Sequence, residues 1–167
     1  MKLSDGIEQA LHTVTLMAAL PKGALLPASA LADFHGVSKT YLLKHLQALS
    51  RAKIVETLPG PKGGYRLQKH PSEISVLDVI LAIEGPEPAF RCKEIRQNGP
   101  NPLNAKYFKM PCQINAAMLR AERAYRNELR QISIMDLNQN VEQADHDGAI
   151  AKRGCAFFEE HMRQSNS

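Results

Sequence analysis

Leu3, Ile7, Ala10, Leu11, Val14, Met17 and Ala18 recur at helical spacing, which predicts an amphipathic helix over residues 2–20. Pro21-Lys22-Gly23 ends it. A second helix over about 27–35 has Pro27 in its first turn and Leu31, Ala32 and Phe34 as apolar positions. His35-Gly36-Val37 reads as a tight turn, because Gly36 takes positive φ at no steric cost. Ser38 is placed to cap a third helix over about 39–52, whose apolar positions are Leu42, Leu43, Leu46 and Leu49. Ile54–Leu58 and Tyr65–Leu67 are short β-prone runs around Pro59-Gly60-Pro61-Lys62-Gly63-Gly64, the pattern of a hairpin.

Further along, Ser75-Val76-Leu77-Asp78 resembles a capping box, and the helix it opens stops at Gly85-Pro86. Residues 86–111 form a Pro/Gly-rich loop (Pro86, Pro88, Gly99, Pro100, Pro102, Pro111), long enough to suggest function. From Gln113 to about Asn138 the pattern is helical again, through Ile114, Ala117, Met118, Ala121, Tyr125, Leu129, Ile132 and Met135. One continuous helix of that length would extend near 40 Å and calls for a partner helix from a second chain. From 139 onward the pattern is polar and weak apart from Cys155-Ala156-Phe157-Phe158. The expected division is therefore 1–72, 73–138 and a tail, 139–167.

Composition narrows the classes. A chain of 167 residues with 44% apolar and 23% charged residues is in the globular range. It has no apolar run near membrane-spanning length, and its first residues read as helix and not as a signal peptide, so a soluble cytoplasmic protein is expected. The three cysteines, Cys92, Cys112 and Cys155, argue against a disulfide framework. Net charge is +4, yet residues 1–70 carry nine Lys/Arg against four Asp/Glu, while residues 71–167 carry twelve against thirteen. A basic N-terminal part favours a polyanion partner.

Helix, helix, turn, helix and hairpin, in that order, make a mainly α winged helix-turn-helix module. Its third helix has the chemistry of a recognition helix, which reads double-stranded DNA mainly with N-terminal residues. Ser38, Lys39, Thr40 and Tyr41 occupy its first turn, with Lys44 and His45 one turn on. Lys44 reaches a guanine edge or a phosphate, and Tyr41 a phosphate. Lys62 stands at the wing tip beside Gly63 and Gly64, which would let backbone approach the minor groove; Arg51 and Arg66 flank the module. Tyr41 and His45 also suit half-buried packing. No nucleophile–base pair, phosphate loop or metalloprotease helix is present, so no enzyme is expected.

The first helix, the Ser38–Leu49 segment with Tyr41-Leu42, the Leu49-Ser50-Arg51-Ala52 step, Gly63-Gly64-Tyr65, Leu77-Asp78-Val79-Ile80 and Ala82-Ile83-Glu84-Gly85 together resemble the Rrf2 family over about residues 1–138. The resemblance implies a homodimeric DNA-binding regulator in which long C-terminal helices cross. Iron–sulfur members carrying three closely spaced cysteines are not matched, because Ile95 to Met110 contains none. The RsrR-like subgroup is similar at Met1-Lys2-Leu3-Ser4, Glu8, His12, Gly85-Pro86, Pro88-Ala89-Phe90, Cys92, Glu94-Ile95-Arg96-Gln97 and Cys112. That resemblance implies a [2Fe–2S] cluster held by Glu8, His12, Cys92 and Cys112 and shared across the dimer. The subgroup's redox switch is associated with a tryptophan after the glutamate; here Gln9 stands there and the chain has no Trp.

Glu8 and His12 are one helical turn apart on one face, near enough to share a metal centre or to form an ordinary surface ion pair. Cys92 and Cys112 bracket the loop, suiting a cluster, a disulfide switch or, with Glu8 and His12, zinc. Cys155 lies outside the match and reads as a free or buried thiol.

Overall fold

The computed structural model describes residues 3–164. Met1 and Lys2 of the subgroup motif, Lys2 also opening the expected first helix, lie outside the described residues, as do 165–167 of the tail.

Helix α1 (Asp5–Ala18) buries Gly6, Ile7, Ala10, Thr13, Val14 and Met17 on one face. It starts later than the spacing predicts because Ser4 is extended (φ −76°, ψ 155°) and tied by backbone and hydroxyl to the Glu84 carboxylate. Helix α2 (Ala28–His35) ends at Gly36 in left-handed conformation (φ 64°), and α3 (Lys39–Arg51) opens at Ser38, whose hydroxyl accepts from Tyr41 N–H. Strands β2 (Val55–Leu58) and β3 (Gly64–Leu67) form the antiparallel wing, in the register Val55↔Leu67 to Leu58↔Gly64. Strand β1 (Ala24–Leu25) runs into Leu26, which exchanges two backbone hydrogen bonds with Tyr65 (2.8 and 3.0 Å). Leu26, Leu31, Leu42, Leu46 and Leu49 are fully buried against Val14 of α1. Each such side chain contributes about 1.5–3 kcal/mol relative to exposure. Sealing this core fixes the angle between the two helices of the turn and the wing. The expected winged helix-turn-helix with a small β component is the fold observed.

Helix α4 (Val76–Glu84) begins with a reciprocal capping box, Ser75 and Asp78, and ends at Gly85 (φ 85°). The single long helix expected over 113–138 is broken. Helix α5 (Gln113–Gln131) stops at Ile132, which is extended, and α6 (Ile134–Ala144) restarts behind a second capping box, Ser133 and Asp136. The reason is local and tertiary at once. Ser133-x-x-Asp136 is a helix start, and the extended step pairs with the start of α4: Val76 N–H donates to Ile132 O, and Ile134 N–H donates to Ile74 O (both 2.9 Å). Helix α5 is thus about 28 Å long, not 40 Å. Helix α6 turns back onto α1, with Ile134 fully buried and Asn138 Nδ2 donating to Thr15 O (3.1 Å).

The weakly patterned tail is also ordered. Helix α7 (Ala149–His161) is followed by β4 (Arg163–Gln164), which pairs antiparallel with β1. Phe158 is buried and Phe157 packs against Phe34 with tilted rings, 4.6 Å between centroids. The short apolar stripe of α7 had too few positions to show a period. Among the described residues, no helix is long and apolar enough to cross a membrane.

Ser133→Ala removes the cap that separates α5 from α6. A loss of about 1 kcal/mol in urea unfolding is expected; unchanged stability would mean that the break does not depend on the cap.

Candidate nucleic-acid interface and sensor site

The N-terminal turns of α3 point outward. Ser38, Lys39, Thr40, Tyr41 and Lys44 are all exposed. Tyr41 stands edge-on to the His45 ring (4.8 Å), and the Lys44 ammonium lies 5.9 Å from the Tyr41 ring centre. These groups form one contiguous basic and hydroxyl-bearing surface, suited to phosphate and base edges. Arg51 is exposed but sits at the opposite end of α3, about 18 Å along the axis from Lys39.

His45 is a correction. It is only 8% exposed and packs inward, beneath Gly6 of α1. A Cβ on Gly6 would lie 2.5 Å from His45 Cε1, so a glycine is needed there for α1 to touch α3. Burial, then Lys44, push the imidazole below its usual pKa, and among the described residues its buried Nε2 has no hydrogen-bond partner. His45 is therefore a neutral packing residue.

The wing glycines also differ from expectation. Lys62 is exposed at the tip, but Gly64 is buried, and a Cβ there would come within 2.7 Å of Leu26 O. A Cβ on Gly63 would overlap the Leu58 carbonyl. Both glycines are required by close backbone packing inside the chain. Arg66 is ion-paired with Glu56 (2.7 Å) across the hairpin.

On the opposite side of α1 from Gly6, Glu8 and His12 are exposed and line a shallow groove of about 380 Å³ with Leu3, Ser4, Ile7 and Leu11. They make no ion pair with each other. The His12 ring lies 5.6 Å from His35 at the end of α2. Burial first, and His12 second, hold His35 below the usual histidine pKa.

The long loop brings the two thiols together. Cys112 stands at the N-cap position of α5 without a side-chain cap hydrogen bond, and the nearby N–H groups of Asn115 and Ile114 and the Cys92 thiol favour its thiolate. The Asn115 N–H is the largest influence holding Cys112 below the ordinary thiol range; Arg96 adds to it, while burial opposes it. Arg96 is held by Glu94 (2.8 Å from Nη2), donates to Met110 O (3.4 Å) and covers the Phe108 ring (5.1 Å). The other end of the loop is fastened to α5: buried Glu122 accepts from Ala89 N–H (3.1 Å) and pairs with Arg126, which donates to Pro86 O and Glu87 O. Spacing alone did not single out Arg96, Glu122 or His35, because each acts through the loop or an adjacent helix end. The Glu94–Gln97 stretch carried Arg96 only as part of a resemblance.

Thus the structure joins Glu8 with His12 and Cys92 with Cys112, but not the two pairs with each other. Among the described residues, no three His, Cys, Asp or Glu side chains converge as a metal-binding group within one chain.

Comparison with known proteins agrees with the fold and the reading head. The sequence matches the family described as Rrf2, iron-dependent transcriptional regulator, over residues 3–140. It is 30% identical to the helix-turn-helix-type transcriptional regulator YwgB of Bacillus subtilis, over 84% of this chain and 86% of that one. It is 33% identical to YffB of Lactococcus lactis, also named a helix-turn-helix-type regulator, over 80% and 85%. In fold it is similar to T. potens IscR (TM-score 0.64, 19% identity, 86% and 90% covered). It is likewise similar to CymR, the global cysteine regulator of B. subtilis (TM-score 0.62, 21% identity, 84% and 98% covered). With a family match spanning most of its length and relatives that are transcription regulators, the chain belongs to the Rrf2 family of transcriptional regulators.

Proposed function

We propose that the protein is a cytoplasmic homodimer that binds promoter DNA and reports redox state through a [2Fe–2S] cluster held between subunits. In this reading residues 1–72 grip DNA, 73–138 carry the sensor loop and the dimer contacts, and 139–167 form an appended tail. The observation that carries it is the division of four candidate ligands into two separate pairs. Glu8 and His12 offer oxygen and nitrogen, and Cys92 and Cys112 offer sulfur. The donor set fits: each pair is brought together within the chain, Cys112 is biased toward thiolate, and the Glu8–His12 groove is open. Two pairs that do not meet in one chain suit a centre completed by a second copy. When bound, such a cluster supplies one-electron chemistry at a potential raised by nitrogen ligation. Exposed Ile114 and Met118 on α5, 66% and 45% accessible, support self-association along that helix.

Coupling to DNA runs through α1. Its outward face carries Glu8 and His12, and its inward face touches α3 at Gly6 and His45. Any displacement of α1 by the sensor site is passed to the recognition helices, whose spacing must match successive half-sites.

A second reading keeps the DNA head and replaces the cluster by a thiol switch. It is favoured by the nearness of the Cys92 thiol, which helps to hold Cys112 below the ordinary thiol range. A Cys92–Cys112 disulfide would then form on mild oxidation.

Lys44→Ala is expected to weaken specific binding by about 1–3 kcal/mol if Lys44 reads a base, or to lower the salt slope by about 1 if it grips a phosphate. Fluorescence anisotropy across a salt series separates the two, and an unaltered isotherm counts against this face.

Anaerobically purified protein is expected to contain iron and sulfide and to show a visible absorption that bleaches with dithionite. Glu8→Ala should remove both without changing the circular dichroism. Colourless, iron-free wild-type protein that forms the Cys92–Cys112 disulfide would favour the second reading instead.

Gly6→Ala is expected to destabilise the fold by about 1–3 kcal/mol, because the methyl group must displace His45. DNA affinity should fall with it. Wild-type stability together with wild-type affinity would contradict the α1–α3 coupling.

A further inference from the structure

The wing of this chain is held from outside the family-matched region. The match ends at residue 140. Beyond it, Asp145 accepts from the N–H groups of Ile150 (3.0 Å) and Ala151 (2.8 Å) and so starts α7. Helix α7 lies against α2: Phe157 packs against Phe34, and Arg153 covers the Phe34 ring (4.5 Å) while donating to Phe34 O (3.2 Å). After Met162 the chain becomes β4, in register Ala24↔Gln164 and Leu25↔Arg163 with β1. This pairing aims the Arg163 side chain along the hairpin. Its Nη1 donates to Pro61 O (3.0 Å) and to Gly63 O (2.7 Å). The residue between those two carbonyls is Lys62, the exposed cation of the wing tip.

We infer that Arg163 is a positioning residue for DNA binding: it clamps the two carbonyls that flank Lys62 and holds the wing tip in the conformation that meets the minor groove. The inference rests on the proposed DNA-binding reading. Its physical logic is that of a turn with few restraints of its own. The tip closes with the bond from Gly63 N–H to Gly60 O (2.9 Å), and Gly60 has φ 102°, a backbone state with wide freedom. A guanidinium donating to two carbonyls removes that freedom before DNA arrives, so less ordering cost falls on binding. The positive charge also lies beside Lys62, where phosphates would pass. Hydrogen bonds to a charged donor are strong enough for their loss to be read as roughly a tenfold change in affinity.

The test uses the full chain and a duplex selected from a random-sequence pool by the wild-type protein. Arg163→Gln keeps the main-chain pairing of β4, Arg163→Lys keeps the charge, and Lys62→Ala removes the positioned cation. Arg163→Gln is expected to bind about tenfold more weakly, with Arg163→Lys between it and wild type. The double variant with Lys62→Ala should bind no worse than Lys62→Ala alone, since positioning an absent lysine has no value. Amide exchange at Lys62 and Gly63 should accelerate in Arg163→Gln, with the melting temperature nearly unchanged. Additive losses would overturn the inference, because Arg163 would then act on DNA independently or through general stability. Unchanged wing exchange would overturn it as well. Failure of the DNA reading gives a different result: no duplex is enriched and Lys44→Ala is indistinguishable from wild type, whatever the exchange data show.

Discussion

The contact between Gly6 of α1 and His45 of α3 is the constraint on which the arrangement depends. At that point only the His45 imidazole stands between the backbone of the first helix and the reading helix, and an added methyl group would stand 2.5 Å from it. A packed contact of this kind transmits displacement, because interiors are close to crystalline density and do not yield smoothly. The same helix is pinned at its start by Ser4 on Glu84 and at its far end by Asn138 of α6 on Thr15 O. Helix α1 therefore belongs at once to the DNA-reading core and to the groove that presents Glu8 and His12.

The loop from 86 to 112 has a complementary logic. It leaves Ile95, Leu103, Tyr107 and Met110 exposed, yet it is organised by polar contacts at its two ends: Glu122 and Arg126 on one side, Arg96 and the start of α5 on the other. Cys112 sits where the N–H groups of α5 and the Arg96 guanidinium both favour negative sulfur. Nearness of two sulfur donors suits either fate considered for them, a metal centre or a disulfide. The oxygen and nitrogen pair on α1 distinguishes the two, because a disulfide has no use for it.

Much of the fold was legible because the apolar stripes of the first three helices are long and regular, and because Gly36, Ser38 and Ser75 mark boundaries with definite geometry. The break at Ile132 was harder to see. The apolar period continues through Ile132 and Met135, and only the Ser133/Asp136 box and the backbone pairing with Ile74 and Val76 interrupt it. Helix α7 was hidden because Phe157 and Phe158 carry nearly all of its packing. In the candidate site, the exposed positions Lys39, Thr40, Tyr41 and Lys44 follow directly from helical phase. His45 did not, since its burial depends on Gly6, on another helix and far away in sequence. The thiol pair was named through resemblance, and the Arg96 that organises it lies in a loop without periodicity.

The central claim, that two chains complete one sensor site, is tested most directly by the iron content of a mixed dimer. One chain would carry Glu8→Ala and His12→Ala, the other Cys92→Ser and Cys112→Ser, and the heterodimer would be isolated anaerobically through two different affinity tags. Ligation across the subunits leaves one complete set of four ligands, so the heterodimer should hold half the iron and sulfide of the wild-type dimer. No iron in the heterodimer, with normal loading of wild-type protein prepared alongside, would contradict the account.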